Sequence, residues 1–275
     1  MPSARIHQIR IDFSVTPEVK RFVYAYLIEA KGLYLVDAGV AGSETQILGH
    51  VQKIGRSPSE LRGIFLTHAH PDHIGTAAWF RERFGCLVYA SAGEKPWIED
   101  IDRQFRERPI PNFYGLAGRS CPVDACLADG DCVAPEAELE LVAVATPGHS
   151  QGHMAYRTGQ ALFIGDAVPI KGDIPIFTDE QATRKTLARL ARLVREDGIA
   201  ACYPAWDRTY DACAMQTKLQ EAEAVVDQLK DAVLQLDEGS GLPLPVDRVC
   251  ARLGMPALAA NPLFARTIAC LRQRP

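Results

Sequence analysis

The sequence predicts an α+β fold: two β-sheets stacked as a sandwich, helices outside them, and a short helical tail. Strand-like runs fill residues 6–13, 22–29 and 33–36 and recur at 139–145, 154–157 and 160–164, which gives two β-rich halves. Helical-period stretches lie between them, the longest over about 210–236. Several strands run directly into polar loops, as tips that face a site do. With 275 residues, 47% of them hydrophobic, the chain buries a sizeable core.

Ile6, Ile9, Ile11 and Phe13 alternate with polar residues in the first strand. Phe22-Val23-Tyr24-Ala25-Tyr26-Leu27-Ile28 is the second, Lys31-Gly32 the turn, and Leu33 to Val36 the third, ending in Asp37-Ala38-Gly39. Ser43 with Gln46 reads as a capping box before Ile47, Leu48, Val51 and Ile54 at helical spacing. Ser57-Pro58-Ser59-Glu60 repeats the device, with Pro58 at the first helical position. A strand at Ile64 to Leu66 leads into Thr67-His68-Ala69-His70-Pro71-Asp72-His73. Helices at 74–84 and 92–108 flank a strand at 86–90. Residues 109–115, with two prolines and a glycine, read as an irregular loop that walls a pocket or packs on the core.

In the second half, 139–145 leads to Thr146-Pro147-Gly148-His149-Ser150-Gln151-Gly152-His153. A hairpin turns at Thr158-Gly159 and its second strand ends in Gly165-Asp166. An amphipathic helix at 179–195 buries Leu187, Leu190, Ala191 and Val194. A strand at 199–203 ends in Pro204-Ala205-Trp206-Asp207. The long helix follows, with Met215, Leu219, Ala222, Val226, Leu229 and Val233 on one face. Residues 239–245 break the chain, dividing a domain over 1–238 from a small helical extension over 239–275. That extension caps the domain, covers a site mouth or pairs in a homodimer.

Net charge of -4 and the lack of a basic run argue against a nucleic-acid partner. No stretch has the length and apolarity of a signal peptide or membrane span, so a cytoplasmic protein is expected. Of eight cysteines, Cys86, Cys202, Cys213, Cys250 and Cys270 read as buried thiols. Cys121, Cys126 and Cys132 cluster in a Gly/Pro/Asp-rich stretch without zinc-knuckle spacing, and a reducing cytosol disfavours a disulfide there.

Three histidines and a carboxylate within six residues, at 68, 70, 72 and 73, concentrate ligands for a borderline cation at a strand end. With Pro147-Gly148-His149 and strand-terminal Gly165-Asp166, the chain resembles the metallo-beta-lactamase-fold hydrolases over roughly residues 6–238. The resemblance implies an αββα sandwich. It implies one metal on His68, His70 and His149, a second on Asp72, His73 and a late histidine, and Asp166 bridging both. It gives Asp37 and His153 supporting positions behind the ligands, and Asp72 the catalytic part of orienting the water or taking its proton. One or two zinc ions are implied, with iron or manganese also compatible with the second position. The implied reaction is hydrolysis, by metal-activated water, of a small ester, thioester, lactone or phosphoester.

The chain departs from the family at the last ligand. Trp206 occupies the expected histidine position, and indole has no ordinary ligand lone pair. Asp207, one residue on, is the candidate replacement, and Trp206 becomes a pocket wall or a packing residue. The glutathione-thioester hydrolases match in the main motifs and need a basic patch, for which Arg103, Arg106 and Arg108 are the candidates. Exported β-lactamases carry a leader, which argues against that activity. A mononuclear iron persulfide dioxygenase and a degraded binding or sensing protein are the other readings of the scaffold.

Overall fold

In the computed structural model, which describes residues 4–236 and 244–272, the alternating start folds into β1 (Arg5–Ser14) and β2 (Lys20–Glu29), paired antiparallel from Arg5↔Glu29 to Ser14↔Lys20. β3 (Leu33–Val36) returns antiparallel to β2 after the predicted Lys31-Gly32 turn. The Lys31 and Gly32 amides donate to the Glu136 carboxylate at 2.7 and 2.9 Å. α1 (Glu44–Lys53) forms, but the capping box expected at Ser43 does not. Ser43 is buried in a tight turn and its hydroxyl donates to the Val40 carbonyl at 2.6 Å, a local bond that competes with capping. The second box does form, over the 3-10 turn Pro58–Glu60.

β4 (Leu61–Phe65) leads to α2 (Pro71–Ile74) and α3 (Ala77–Phe84), where one helix was expected over 74–84. The break falls at Gly75-Thr76. A Cβ on Gly75 would meet the backbone of Val40, Ala41 and Leu116, so only glycine lets the chains approach this closely. β5 (Leu87–Ser91) precedes α4 (Lys95–Glu99) and α5 (Ile101–Glu107). The helix predicted over 92–108 is split at Asp100, whose carboxylate caps α5 by accepting the Arg103 amide at 2.8 Å. The expected irregular loop contains α6 (Phe113–Ala117), because its prolines precede the helix and so cost it no hydrogen bond. Phe113 is buried, its ring 5.3 Å from Phe105.

β6 (Ala125–Leu127) and β7 (Cys132–Glu136) have no alternation to betray them. Pairing with β5 and with β8 (Leu139–Ala145) makes them strands. The hairpin of β9 (Met154–Thr158) and β10 (Ala161–Gly165) follows as predicted. Then come α7 (Glu180–Glu196), β11 (Ala201–Pro204), β12 (Tyr210–Asp211), α8 (Ala212–Leu236), α9 (Val246–Leu253), the 3-10 turn Pro256–Leu258 and α10 (Pro262–Leu271). Residues 239–243 of the predicted chain break, with the boundary at 238/239, lie outside the described residues. The fold is α+β, with two six-stranded sheets ordered β1-β2-β3-β4-β5-β6 and β12-β11-β10-β9-β8-β7 and a helical C-terminal extension.

The chain forms two compact units. Among the described residues, the first comprises 4–145, 152–165 and 203–208. In it β2 is buried on both faces over residues 25–28, as its continuous apolar run leads one to expect. Tyr26 and Ile28 join Val36 and Phe65 against Leu141, Met154, Tyr156 and Phe163 of the other sheet. Ala25 and Leu27 face the opposite way, into a core shared with Ile47 and Val51 of α1, Ile74 of α2 and Phe80 of α3. The second unit comprises, among the described residues, 146–151, 166–202, 209–236 and 244–272. Its helical core joins Phe177 to Val226, Leu229 and Val233 of α8, Val249 and Cys250 of α9, and Phe264, Ile268 and Leu271 of α10.

All eight cysteines are free thiols, and Cys213 is exposed rather than buried as expected, because it lies on the outer side of the first turn of α8. In the 121–132 group, Cys121 is buried whereas Cys126 and Cys132 are exposed on separate strands. Among the described residues no helix is long and apolar enough to cross a membrane.

Candidate metal centre

β3, β4 and β5 run parallel, so the loops that follow them leave the same edge of the sheet. That carboxyl edge is where open sheets with parallel strands place their sites. Asp37 follows β3 in the left-handed region at φ 61°, a strained position for a residue with a Cβ. Three donors hold it there: the Thr67 amide at 2.8 Å, the Thr67 hydroxyl at 2.9 Å from the nearer oxygen, and His73 Nδ1 at 2.8 Å. The network assigns the tautomers. His73 donates from Nδ1 to the carboxylate. The Thr67 hydroxyl gives its own proton to Asp37 and accepts from His68 Nδ1, 3.0 Å away. His68 Nε2 is thereby left as a lone pair, and it points to within 2.9 Å of His70 Nδ1.

His70 ends the extended segment and precedes Pro71, which starts α2. The His73 amide closes that turn onto the His70 carbonyl at 2.9 Å, and Met154 N–H holds the Thr67 carbonyl at 2.8 Å. The buried Tyr156 hydroxyl donates to the Leu66 carbonyl at 2.8 Å; burial pushes its pKa well above the ordinary phenol, so it stays a donor.

In the second unit, His149 follows Gly148 at φ 135°, where a Cβ would collide with Thr183. His149 Nδ1 donates to the Ile176 carbonyl at 2.9 Å, which leaves Nε2 as its ligand atom, 3.4 Å from an Asp166 oxygen. One ligand atom from each of His68, His70, His149 and Asp166 lies within 4.8 Å of all the others. Three imidazoles oriented by their second nitrogens or by the backbone, plus one carboxylate, form a donor set suited to zinc or a similar divalent ion.

The other predicted residues take different places. His73 Nε2 is 3.4 Å from Asp72 Oδ2, and neither residue belongs to that four-residue group. Burial raises the Asp72 carboxyl's pKa, but His73, then a backbone amide hydrogen bond and then Arg108 more than offset this and hold it below the ordinary value. The Asp207 carboxylate accepts the Arg208 amide at 2.8 Å and is also outside the group. Trp206 lies in an aromatic cluster, 6.2 Å from Phe13 and 6.1 Å from Phe22, with the Arg21 guanidinium 4.4 Å from its ring centroid. His153 is buried with its ring 5.0 Å from that of His68. Of the three arginines, Arg103 pairs with Glu107 and Arg106 faces Asp100, while Arg108 is buried.

Two positioning residues have no mark in the sequence. The buried Glu94 carboxylate accepts the Ala69 amide at 2.8 Å and the Gly152 amide at 2.9 Å. Gln104, fully buried on α5, donates to the Ala69 carbonyl at 2.6 Å. Both polar groups of the residue between His68 and His70 are thus fixed by side chains. Glu94→Ala strands two buried amides, and at about 1–3 kcal/mol each it is expected to cost roughly 2–6 kcal/mol of unfolding free energy. A urea titration that shows no loss would remove Glu94 from this part.

A model of the metallo-beta-lactamase superfamily matches residues 19–203. The chain is 26% identical over 210 residues to a hydroxyacylglutathione hydrolase of Thiobacillus denitrificans, covering 75% of this chain and 66% of that protein. It is 30% identical over 154 residues to a probable metallo-hydrolase, YflN, of Bacillus subtilis, covering 51% and 57%. The chain therefore spans less than two thirds of the length of these curated relatives. A metallo-beta-lactamase family protein from Thermus thermophilus has the same fold, with a TM-score of 0.72 at 22% identity over 96% of this chain and 92% of that one. A beta-lactamase domain protein from Burkholderia ambifaria is similar too, with a TM-score of 0.68 at 19% identity over 96% and 85%. The sheet order, the histidine loop after β4 and a family match across more than half the sequence agree: this chain belongs to the metallo-beta-lactamase superfamily.

Proposed function

We propose that the protein is a metal-dependent hydrolase of small acyl substrates, with thioesters first among them. The observation that carries this is the convergence of His68, His70, His149 and Asp166 within 4.8 Å. A divalent ion held there supplies Lewis-acid polarisation of the scissile carbonyl and acidifies the attacking water. The chain's own parts do the rest. Asp37 holds His73 directly and His68 through Thr67, so the imidazoles are oriented before substrate arrives. Asp72, kept ionised beside His73, accepts the proton of the water whose oxygen adds to the acyl carbon. The carbon–sulfur bond then breaks and that proton leaves with the thiolate.

Thioesters are favoured over lactones and phosphoesters because several relatives bear the name hydroxyacylglutathione hydrolase. An acidic substrate also calls for a cation, and Arg108, buried and near enough to lower the Asp72 pKa, is the candidate among the three arginines. The test is thiol release from a hydroxyacyl-glutathione thioester by zinc-loaded protein, followed by a lactone and phosphoester panel. Thiol release that stops on chelation and returns with zinc is expected. Full turnover after complete removal of metal would refute the reading. Persulfide-dependent oxygen uptake by iron-loaded protein, without hydrolysis, would replace it with the dioxygenase reading.

A further inference from the structure

We infer that Thr267, on the last helix of the C-terminal extension, is a positioning residue for the metal ligand His149. This rests on the metal centre proposed above. His149 Nδ1 donates to a backbone atom, the Ile176 carbonyl, at 2.9 Å. A ligand fixed in this way is only as well placed as the segment bearing that carbonyl. Residues 174–178 form no helix or strand that would hold them. They are held by individual hydrogen bonds instead.

On one side, the Thr178 amide donates to the Gly148 carbonyl at 2.7 Å, and the Thr178 hydroxyl lies 3.2 Å from the same oxygen. That ties the segment to the residue preceding His149. On the other side stands Thr267 of α10, fully buried. Its hydroxyl accepts the Phe177 amide at 3.2 Å and lies 3.0 Å from the Pro175 carbonyl, 3.2 Å from the Phe177 carbonyl and 3.4 Å from the Leu263 carbonyl. A hydroxyl has one proton to give, and Pro175 offers the nearest oxygen. The bond accepted from residue 177 and the bond given to residue 175 bracket Ile176 from both neighbours. The Phe177 side chain anchors the segment further, in the core built by α8, α9 and α10. The extension is thereby part of the apparatus that aims His149 Nε2, in addition to packing on the domain.

The test compares Thr267→Val, which keeps the shape and removes the hydroxyl, with Thr267→Ser, which keeps the hydroxyl. Ile268→Val is the packing control, since it trims the same core one residue along and touches none of these bonds. Zinc affinity is read by competition with a chromophoric chelator, and protection of the Phe177 amide by hydrogen exchange in metal-free protein. Loss of a ligand's own hydrogen-bond partner weakens binding about 10–100-fold; Thr267 acts through the segment bearing that partner, so Thr267→Val is expected to weaken zinc binding by about 10-fold, the lower end, with faster exchange at Phe177. Thr267→Ser should bind zinc as the parent does, and Ile268→Val should lose some stability but keep its affinity. Unchanged affinity in Thr267→Val, or an equal loss in Ile268→Val, would overturn the inference. His149→Ala separates the two levels: if it binds zinc as tightly as the parent, the metal centre itself is wrong and Thr267 has nothing to position.

Discussion

Replacing His68 with alanine is expected to abolish metal binding and thiol release together. The residue lies at the meeting point of two networks. Its Nδ1 is tied through Thr67 to Asp37, and its Nε2 lies 2.9 Å from His70 Nδ1 among the converging ligand atoms. Losing a partner behind a ligand costs about 10–100-fold in affinity, so losing the ligand itself should cost more than about 100-fold. Metal analysis after dialysis against buffered zinc checks this. Parent-like stoichiometry in the variant would show that His68 is not a ligand. The fold should survive, because alanine leaves no charged group unpaired and the Thr67–Asp37 bonds remain.

Asp37→Asn should damage both stability and the site while changing the shape of the side chain very little. The aspartate accepts from the Thr67 amide, the Thr67 hydroxyl and His73 Nδ1, all in a nearly water-free place where the residue is 2% exposed. An amide presents one acceptor oxygen and one group that can only donate, so at least one of these donors then faces another donor. At about 1–3 kcal/mol for each buried group left unsatisfied, a loss of roughly 2–4 kcal/mol is expected in denaturant unfolding. The left-handed backbone does not confuse the result, since asparagine adopts φ 61° at least as readily as aspartate. Zinc affinity should fall about 10–100-fold, because His68 and His73 lose the group that sets their tautomers. Loss of stability with unchanged affinity would confine Asp37 to folding.

Much of this site is legible in the chain because its parts are local. His68, His70, Asp72 and His73 sit within six residues after an apolar strand, and each of Gly148-His149 and Gly165-Asp166 joins a glycine at positive φ to a candidate ligand. The principal strands and long helices are legible for the same reason, since alternation and 3.6-residue periodicity are properties of neighbouring residues. The failures are equally physical. The capping box at Ser43 reads correctly by spacing, yet the Val40 carbonyl takes the hydroxyl. β6 and β7 acquire extended structure from distant partners. The 92–108 helix breaks where Asp100 finds an amide to cap.

The sequence by itself determined the family, the α+β architecture and which histidines and aspartates are candidates for metal. Tertiary structure decided which of them converge: His68, His70, His149 and Asp166 do, while Asp207 turns to its own neighbour's amide and Trp206 lies among Phe13, Phe22 and Arg21. It also decided what holds them, through Glu94 and Gln104 on either side of Ala69 and Thr267 behind Ile176. The reason is one of range. A ligand motif is written in neighbouring residues, whereas a buried hydrogen bond that orients a ligand can come from any part of the chain that folding brings within about 3 Å.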